Sequence, residues 1–195
     1  LLQAAWAEFR EKNFRTLFLT YNHALAADIT RLKTLMNIPS DLDSGGISIS
    51  TVMSFVSKWL KYLGVIDDEA FKNDYKDYQE NCQKADTWIK EGLITSDDIS
   101  QVKKLHFYDL EFDYLIIDEG QDWPPSEASL VKTLYGHKNI CVADGVQQLV
   151  RGEKVNWFKD ISKENRHVIP IDKSLRLKSN LSAFVNSYSQ YYQSD

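Results

Sequence analysis

One stretch of the 195-residue chain decides its predicted fold: Phe112-Asp113-Tyr114-Leu115-Ile116-Ile117-Asp118-Glu119-Gly120-Gln121-Asp122. Its central residues form a continuous apolar run rather than an alternating one, which is typical of a strand buried on both faces in a parallel sheet. The run ends in two adjacent carboxylates, Asp118 and Glu119. In open α/β sheets ligands bind at the carboxyl ends of the strands. The stretch therefore predicts a parallel sheet with acidic chemistry at one edge.

Four other short segments with apolar residues also predict strands, and three of the five predicted strands are near-continuous apolar blocks. They alternate with helical segments. The further predicted strands are residues 16–19, 47–50, 139–143 and 167–171. Apolar residues at helical spacing lie between or after them, as in the sets Leu25/Ile29/Leu32/Met36, Val52/Phe55/Val56/Trp59/Leu60/Leu63, Ala128/Val131/Leu134 and Leu177/Leu181/Phe184/Val185/Tyr188/Tyr192. This alternation predicts an α/β fold, a parallel sheet with helices on both faces.

The segment from about 64 to 110 departs from this alternation. A narrow apolar stripe on a charged helix is followed by a second helix that begins near Ser96, with Ser96 or Asp97 as its cap. We interpret the segment as a helical insertion in a single domain that covers residues 1–195.

Composition narrows the class of protein further. The chain has 23 Lys and Arg against 28 Asp and Glu, a net charge of −5, which argues against binding nucleic acid by a basic surface alone. No apolar run is long enough to cross a membrane. The two cysteines and four histidines lack metal-ligand spacing. A cytoplasmic protein without a membrane partner is expected, with both cysteines reduced and buried as small apolar residues.

The acidic strand end suggests nucleotide hydrolysis. Asp118 would hold Mg²⁺ and Glu119 would polarise the attacking water. The other interpretation is an ordinary acidic turn that caps the next helix.

Three further strand ends carry polar side chains that suit the same chemistry. In Asp144-Gly145-Val146-Gln147, the glutamine is able to sense a γ-phosphate by hydrogen bonding. In Thr20-Tyr21-Asn22, the tyrosine is able to stack on an unpaired base. Arg176 is able to stabilise the charge of a phosphate. Each also has a structural interpretation: a polar turn, a tyrosine packed beside its turn, and a surface arginine.

The order of these motifs resembles the first RecA-like ATPase domain of the UvrD/Rep-like superfamily 1 helicases, which are P-loop NTPases. The matching segments are Thr20-Tyr21-Asn22, Thr51-Val52-Met53-Ser54-Phe55, Asp118-Glu119-Gly120-Gln121-Asp122, Asp144-Gly145-Val146-Gln147, Arg151-Gly152 and Arg176. They cover nearly the whole chain except the helical insertion.

The resemblance implies ATP and Mg²⁺ as cofactors and single-stranded DNA, or RNA, as partner. It implies catalytic roles for Asp118, Glu119, Gln147 and Arg176, with Asp118 as the metal ligand. Coupling roles fall to Gln121, Asp122, Asp144 and Arg151. The implied nucleic-acid contacts are Thr20, Tyr21, Asn22, Thr51 and Ser54.

Several parts of the family pattern differ in this chain. No Gly-x-x-x-x-Gly-Lys-[Ser/Thr] loop is present, and Leu1 to Lys12 resemble the helix that follows it. We expect a fragment that begins just after the phosphate loop and lacks the second RecA-like domain. The resemblance implies that the strand before the phosphate loop lies beside the strand that ends at Asp118. A gap in the sheet is therefore expected, filled by upstream residues or by association. The family's base- or adenine-contacting residues correspond here to Leu175, Leu149, Val150, Met53 and Ala24.

The leading hypothesis is therefore an ATP-dependent DNA helicase or translocase, of which these 195 residues alone would be inactive. The alternatives are a catalytically degenerate binding or regulatory module, and a nucleotide-dependent switch without unwinding activity.

Overall fold

A computed structural model describes residues 6, 10–67, 77–144, 155–159 and 161–170. The chain divides into two compact units, residues 1–159 and 160–195. The first unit contains a four-stranded sheet of β1 (Thr16–Thr20), β2 (Ile47–Thr51), β3 (Tyr114–Ile117) and β4 (Ile140–Val142), in the order β2-β1-β3-β4. All neighbouring pairs are parallel. The predicted α/β fold with a parallel sheet is confirmed.

Six helices accompany the sheet within the described residues. They are α1 (His23–Leu35), α2 (Val52–Tyr62), α3 (Tyr78–Lys90), α4 (Ser96–Leu105), α5 (Phe107–Leu110) and α6 (Pro125–Tyr135). Single 3₁₀ turns lie at Leu42–Ser44, Gly120–Asp122 and His137–Asn139, and in the second unit at Lys163–Asn165.

Both faces of the sheet are covered by apolar side chains. Leu17 and Ile117 belong to the larger core cluster, which contains buried residues of α2, α3 and α6. Phe18 and Ile116 point to the opposite face, where they pack with Ile29 of α1. Successive strand residues alternate between faces, so continuous apolar runs are needed in strands covered on both sides.

The helical segment before β3 shares this larger core. Tyr78, Cys82 and Ala85 of α3, together with Ile94 and Leu110, are buried in the same cluster as the sheet residues. The segment is helical where it is described, and its status as a separate insertion stays a prediction. No helix in the described ranges combines the length and the apolar character that a membrane span requires.

The cap of α4 differs from the prediction of Ser96 or Asp97. Thr95 is the N-cap: its hydroxyl accepts the Asp98 N–H at 3.2 Å, and the Asp98 carboxylate accepts the Thr95 N–H at 2.8 Å. This reciprocal capping box satisfies two helix-end donors at once, which neither predicted cap would do. The Thr95 hydroxyl also donates to the Asp98 carboxylate at 2.7 Å, and this bond together with the one from the Thr95 N–H lowers the pKa of Asp98.

The buried face of α1 is also rotated from the predicted one. Leu32 is 48% exposed, whereas the neighbouring Lys33 is 6% exposed. The Lys33 ammonium donates to the Ile47 carbonyl at 2.9 Å, and burial lowers the pKa of this lysine. Its long apolar stem explains how a charged residue lies on the face that covers the sheet.

The predicted fifth strand does not form where the structure describes it. Residues 167–170 have no strand partner, and Val168 and Ile169 are 70% and 72% exposed. Pro170 has no N–H to donate to a strand ladder, which weakens an apolar run as a strand. The rest of that prediction, Ile171, lies outside the described residues, as does the predicted helix from Leu177 to Tyr192.

The expected gap beside β3 is wrong as well. Leu115, Ile116 and Ile117 pair with β1 on one side and with β4 on the other. A strand has only two hydrogen-bonding edges, so no further strand fits directly beside β3. Within the described sheet the edge strands are β2 and β4. The expectation of upstream residues or of association stays a prediction.

Candidate nucleotide and nucleic-acid site

The four strands end together and bring their polar residues to one edge of the sheet. Thr20 and Thr51 are register partners at the ends of β1 and β2. The Asp118 N–H donates to the Leu19 carbonyl at 3.0 Å, and the Ala143 N–H donates to the Ile117 carbonyl at 2.8 Å. Asp118 is therefore aligned with the end of β1, and the residue before Asp144 with the end of β3.

Thr20 and Asp118 are in direct contact at this edge. The Thr20 hydroxyl donates to the Asp118 Oδ2 at 3.2 Å and accepts the Asn22 N–H at 3.3 Å. Thr20 is 2% exposed, whereas Asp118 is half-buried. The hydroxyl thus fixes one carboxylate oxygen of a residue that still faces solvent.

Glu119 has a strained backbone. Its φ of 50° and ψ of 49° are in the left-handed region, which costs a non-glycine residue about 1–2 kcal/mol. The buried Gln121 side chain donates from Nε2 to Glu119 Oε2 at 2.6 Å. Strain of this kind concentrates at functional sites, where surrounding contacts hold it in place. Here it displays an exposed carboxylate beside Asp118.

The acidic turn, defined as residues 118–122, is held by aromatic side chains. The Trp123 indole N–H donates to the Asp118 carbonyl at 3.3 Å, and the Trp157 N–H donates to the Gly120 carbonyl at 2.7 Å. The two indole rings pack edge to face with centroids 5.0 Å apart. The Gly120 N–H donates to the Ala143 carbonyl at 2.9 Å, which ties the turn to the end of β4.

Gly120 is required by this close packing. A Cβ atom at this position would lie 2.2 Å from Val142 Cγ1 and 3.1 Å from Trp157 Nε1. Only a residue without a side chain lets β4 and Trp157 approach the turn so closely.

The Tyr21 turn, defined as residues 20–22, lies beside the acidic turn. The Tyr21 hydroxyl donates to the carboxylate of Glu127, and its ring contacts Trp123 edge-on at 5.5 Å. The Asn22 side-chain oxygen accepts the Ala24 and Leu25 N–H groups at 2.8 and 3.3 Å and so caps α1. Asn22 is exposed, so both a structural and a binding role are open to it.

A buried carboxylate lies behind the Tyr21 turn. Glu127 is 1% exposed, on the face of α6 that packs into the core. Burial first, and then the charge of Glu127, raise the pKa of Tyr78 well above its usual value and that of Cys82 to about 12. Helix α3, which carries Tyr78 and Cys82, and the Tyr21 turn are therefore both next to the Glu127 carboxylate.

The remaining predicted residues divide into three groups. Thr51 is buried and its hydroxyl accepts the Ser54 N–H at 3.4 Å to cap α2, whereas Ser54 is exposed. Asp122 is half-buried and Asp144 exposed, both near the same edge. Gln147, Arg151 and Arg176 lie outside the described residues.

Sequence reasoning missed Trp123, Glu127 and Trp157 as members of this site. Glu127 lies three and four positions before Leu130 and Val131, both buried on α6, so helical spacing alone would have placed it on the inner face. No comparable pattern marks Trp157, which reaches the turn from 37 residues away along the chain.

The acidic turn offers oxygen ligands but no complete metal cage. Across the described ranges, no group of three or more His, Cys, Asp or Glu side chains is arranged to hold a metal ion. Mg²⁺ is commonly bound through one or two carboxylates, with substrate phosphates and water as the other ligands. The half-buried Asp118 with the adjacent Thr20 hydroxyl fits that mode of binding.

Comparisons of the chain with protein-family models, with curated proteins and with solved structures found no match. What the fold and the site define is an α/β protein whose parallel sheet carries an acidic turn and a tyrosine turn at the carboxyl ends of adjacent strands.

Proposed function

We propose that this chain is part of the first RecA-like ATPase domain of an ATP-dependent DNA helicase or translocase, which couples ATP hydrolysis to movement on single-stranded nucleic acid. The observation that supports this proposal most is the Thr20–Asp118 contact at the common edge of β1 and β3. It joins the turn proposed to contact nucleic acid to the turn proposed to act on ATP. The cytoplasmic location belongs to the same proposal.

In this proposal the two carboxylates of the acidic turn have different tasks. Asp118 would hold Mg²⁺, which neutralises phosphate charge when bound. Glu119 is exposed, and the Gln121 amide holds one of its oxygens. Its carboxylate would polarise the water that attacks the γ-phosphate. Gln147 and Arg176 would sense that phosphate, and Gln121, Asp122, Asp144 and Arg151 would transmit the change.

The nucleic-acid side of the site lies on the neighbouring strands. Thr20 and Thr51 end adjacent strands, so the Tyr21 turn and the start of α2 are neighbours at the sheet edge. We assign the contacts to Thr20, Tyr21, Asn22, Thr51 and Ser54. A net charge of −5 does not oppose this assignment, because single strands are bound in grooves by stacking and by local positive charge.

The 195 residues do not suffice for catalysis in this account. The sequence contains no glycine-rich loop with lysine to cradle phosphates, and the second RecA-like domain would supply further charge. The isolated chain should neither hydrolyse ATP nor unwind DNA. Measurable ATP turnover by these residues alone would contradict this part of the proposal.

The test is ATP hydrolysis by the complete protein, measured with and without an oligo(dT) strand. A helicase or translocase should hydrolyse ATP faster when the strand is present and should displace a paired strand or a bound roadblock. ATP hydrolysis at the same rate with and without the strand would instead indicate a nucleotide-dependent switch. Binding of the strand without any hydrolysis would indicate a degenerate binding module.

A further inference from the structure

A continuous series of contacts leads from the Tyr21 turn to the acidic turn. The Tyr21 ring packs on Trp123, which donates to the Asp118 carbonyl and packs on Trp157. Trp157 in turn donates to the Gly120 carbonyl. The two indoles therefore hold the backbone on both sides of Glu119, and Tyr21 contacts the first of them.

The hydroxyl of Tyr21 fixes the ring in this position. Glu127 is 1% exposed, so a hydroxyl that reaches its carboxylate lies inside the protein. A base that stacks on the full face of the Tyr21 ring needs that ring turned toward solvent. Such a rotation breaks the hydrogen bond to Glu127 and removes the edge contact with Trp123. The position seen here and a position stacked on a base therefore exclude each other.

We propose that Tyr21 is a latch, by which we mean a side chain that Glu127 holds through a hydrogen bond and that nucleic acid releases. The latch couples nucleic-acid binding to the acidic turn, with Trp123 and Trp157 as positioning residues. The inference rests on the proposed function, because it assumes that the Tyr21 turn binds single strands. In the latched position, seen here, the indoles are held against the turn. Binding of a strand releases Tyr21 and changes the contacts of both indoles with residues 118 and 120.

The latch makes an unusual prediction for Tyr21→Phe. The variant keeps the ring but loses the bond to Glu127, which strand binding must otherwise break. Because a hydrogen bond to a charged group contributes about 1.5–3 kcal/mol, the variant should bind an oligo(dT) strand about 10- to 160-fold more tightly. Loss of an ordinary binding contact would weaken binding instead. Glu127→Gln, which removes the buried charge, should tighten binding in the same direction.

The ¹⁹F resonance of Trp157 distinguishes the latch from a merely structural role of Tyr21, because a structural role would not make this resonance respond to the strand. Trp123 and Trp157 are 1% and 3% exposed, so a strand bound at the surface cannot touch them. With 5-fluorotryptophan in the chain, the ¹⁹F resonance of Trp157, assigned by Trp157→Phe, should shift as oligo(dT) binds. In Tyr21→Phe it should already be displaced in that direction before the strand is added.

The matched control is Tyr62→Phe. Tyr62 is also half-buried, and its hydroxyl donates to Asp109 at 3.3 Å, but its ring stacks on His106 instead of on a residue of this series. The control should change neither the affinity for oligo(dT) nor the Trp157 resonance. Fluorescence anisotropy of a labelled oligo(dT) measures binding independently of the resonance.

Each outcome has a distinct meaning. Binding by the wild-type chain with an unchanged Trp157 resonance, or weaker or equal binding by Tyr21→Phe, would overturn the latch and leave the proposed function standing. No binding of oligo(dT) by the wild-type chain or by the complete protein would contradict the nucleic-acid part of the proposed function, and the latch with it.

Discussion

The hydroxyl of Thr20 donates to the carboxylate of Asp118 at 3.2 Å, across two parallel strands whose residues lie 98 positions apart in the chain. The contact forms because β1 and β3 are adjacent and end at the same level. It places a buried donor under a half-exposed carboxylate, so the orientation of Asp118 is set from inside the sheet. The same hydroxyl orders the start of the Tyr21 turn.

Replacing Thr20 by valine should destabilise the fold. The substitution preserves shape but removes the donor to Asp118 and the acceptor for the Asn22 N–H, so the free energy of unfolding should fall by about 1–3 kcal/mol in urea denaturation. Thr16 is the matched control, because it is 0% exposed on the same strand and its hydroxyl has no hydrogen-bond partner among the described residues. Thr16→Val should leave stability unchanged or raise it. Equal losses in both variants would show that the Asp118 contact contributes nothing.

Gly120→Ala should disturb the acidic turn specifically. The added methyl would lie 2.2 Å from Val142 Cγ1, so β4 or the Trp157 ring must shift, at a cost of about 1–3 kcal/mol. Near-ultraviolet circular dichroism should change as well, since Trp123 and Trp157 pack on this turn. Gly92→Ala is the control: its φ of +76° adds strain, but nothing lies within 4 Å of the new methyl, so the aromatic spectrum should stay the same.

Tyr135→Phe should weaken the core between α2 and α6. The Tyr135 hydroxyl donates to the Leu110 carbonyl at 2.5 Å and accepts the Trp59 N–H at 3.2 Å, both in buried surroundings. Its removal leaves two buried polar groups without this partner, and unfolding should become easier by about 1–3 kcal/mol. Tyr108 is 77% exposed, so Tyr108→Phe should change the midpoint of urea unfolding hardly at all. A midpoint for Tyr135→Phe equal to wild type would refute this account of the core.

The two cysteines should react at very different rates with a thiol reagent. Cys82 is 0% exposed, and burial, followed by the charge of Glu127, raises its thiol pKa to about 12. Cys141 is exposed, contrary to the expectation that both cysteines are buried, although partial burial raises the pKa of its thiol as well. Only the thiolate of an accessible thiol reacts, so at pH 8 the folded protein should lose the Cys141 thiol faster than the Cys82 thiol. Cys141→Ser should abolish the fast phase and Cys82→Ser should preserve it. Two fast thiols at pH 8 would contradict the burial of Cys82.

Much of the fold was predictable because local sequence and burial agree. Apolar runs identified β1, β3 and β4, and the alternating run Ile47-Ser48-Ile49-Ser50 identified β2, each to within one residue at either end. The prediction of a strand at residues 167–170 was wrong, because Val168 and Ile169 are exposed and no described strand pairs with them. An apolar run reports suitability for a strand, whereas pairing depends on the rest of the fold.

The candidate site was only partly predictable. Strand-end positions identified Asp118, Glu119 and the Tyr21 turn, because topology brings carboxyl ends of parallel strands to one edge. The contacts that hold them were not predictable, because Tyr21–Glu127 and Trp157–Gly120 join residues 106 and 37 positions apart. Likewise, the sequence pattern predicted Leu32 on the inner face of α1, but Lys33 lies there. Its ammonium donates a hydrogen bond to the Ile47 carbonyl, a contact that spacing alone does not reveal.

In the proposed function, Glu119 orients the water for ATP hydrolysis in the complete protein. The most direct measurement is the rate of ATP hydrolysis stimulated by single-stranded DNA in Glu119→Gln, beside the control Glu91→Gln, an exposed residue at the end of α3. General-base catalysis contributes about 10²- to 10⁴-fold, so Glu119→Gln should lower the rate by that factor, with the control unchanged. A Glu119→Gln protein that hydrolyses ATP at the wild-type rate would contradict the account.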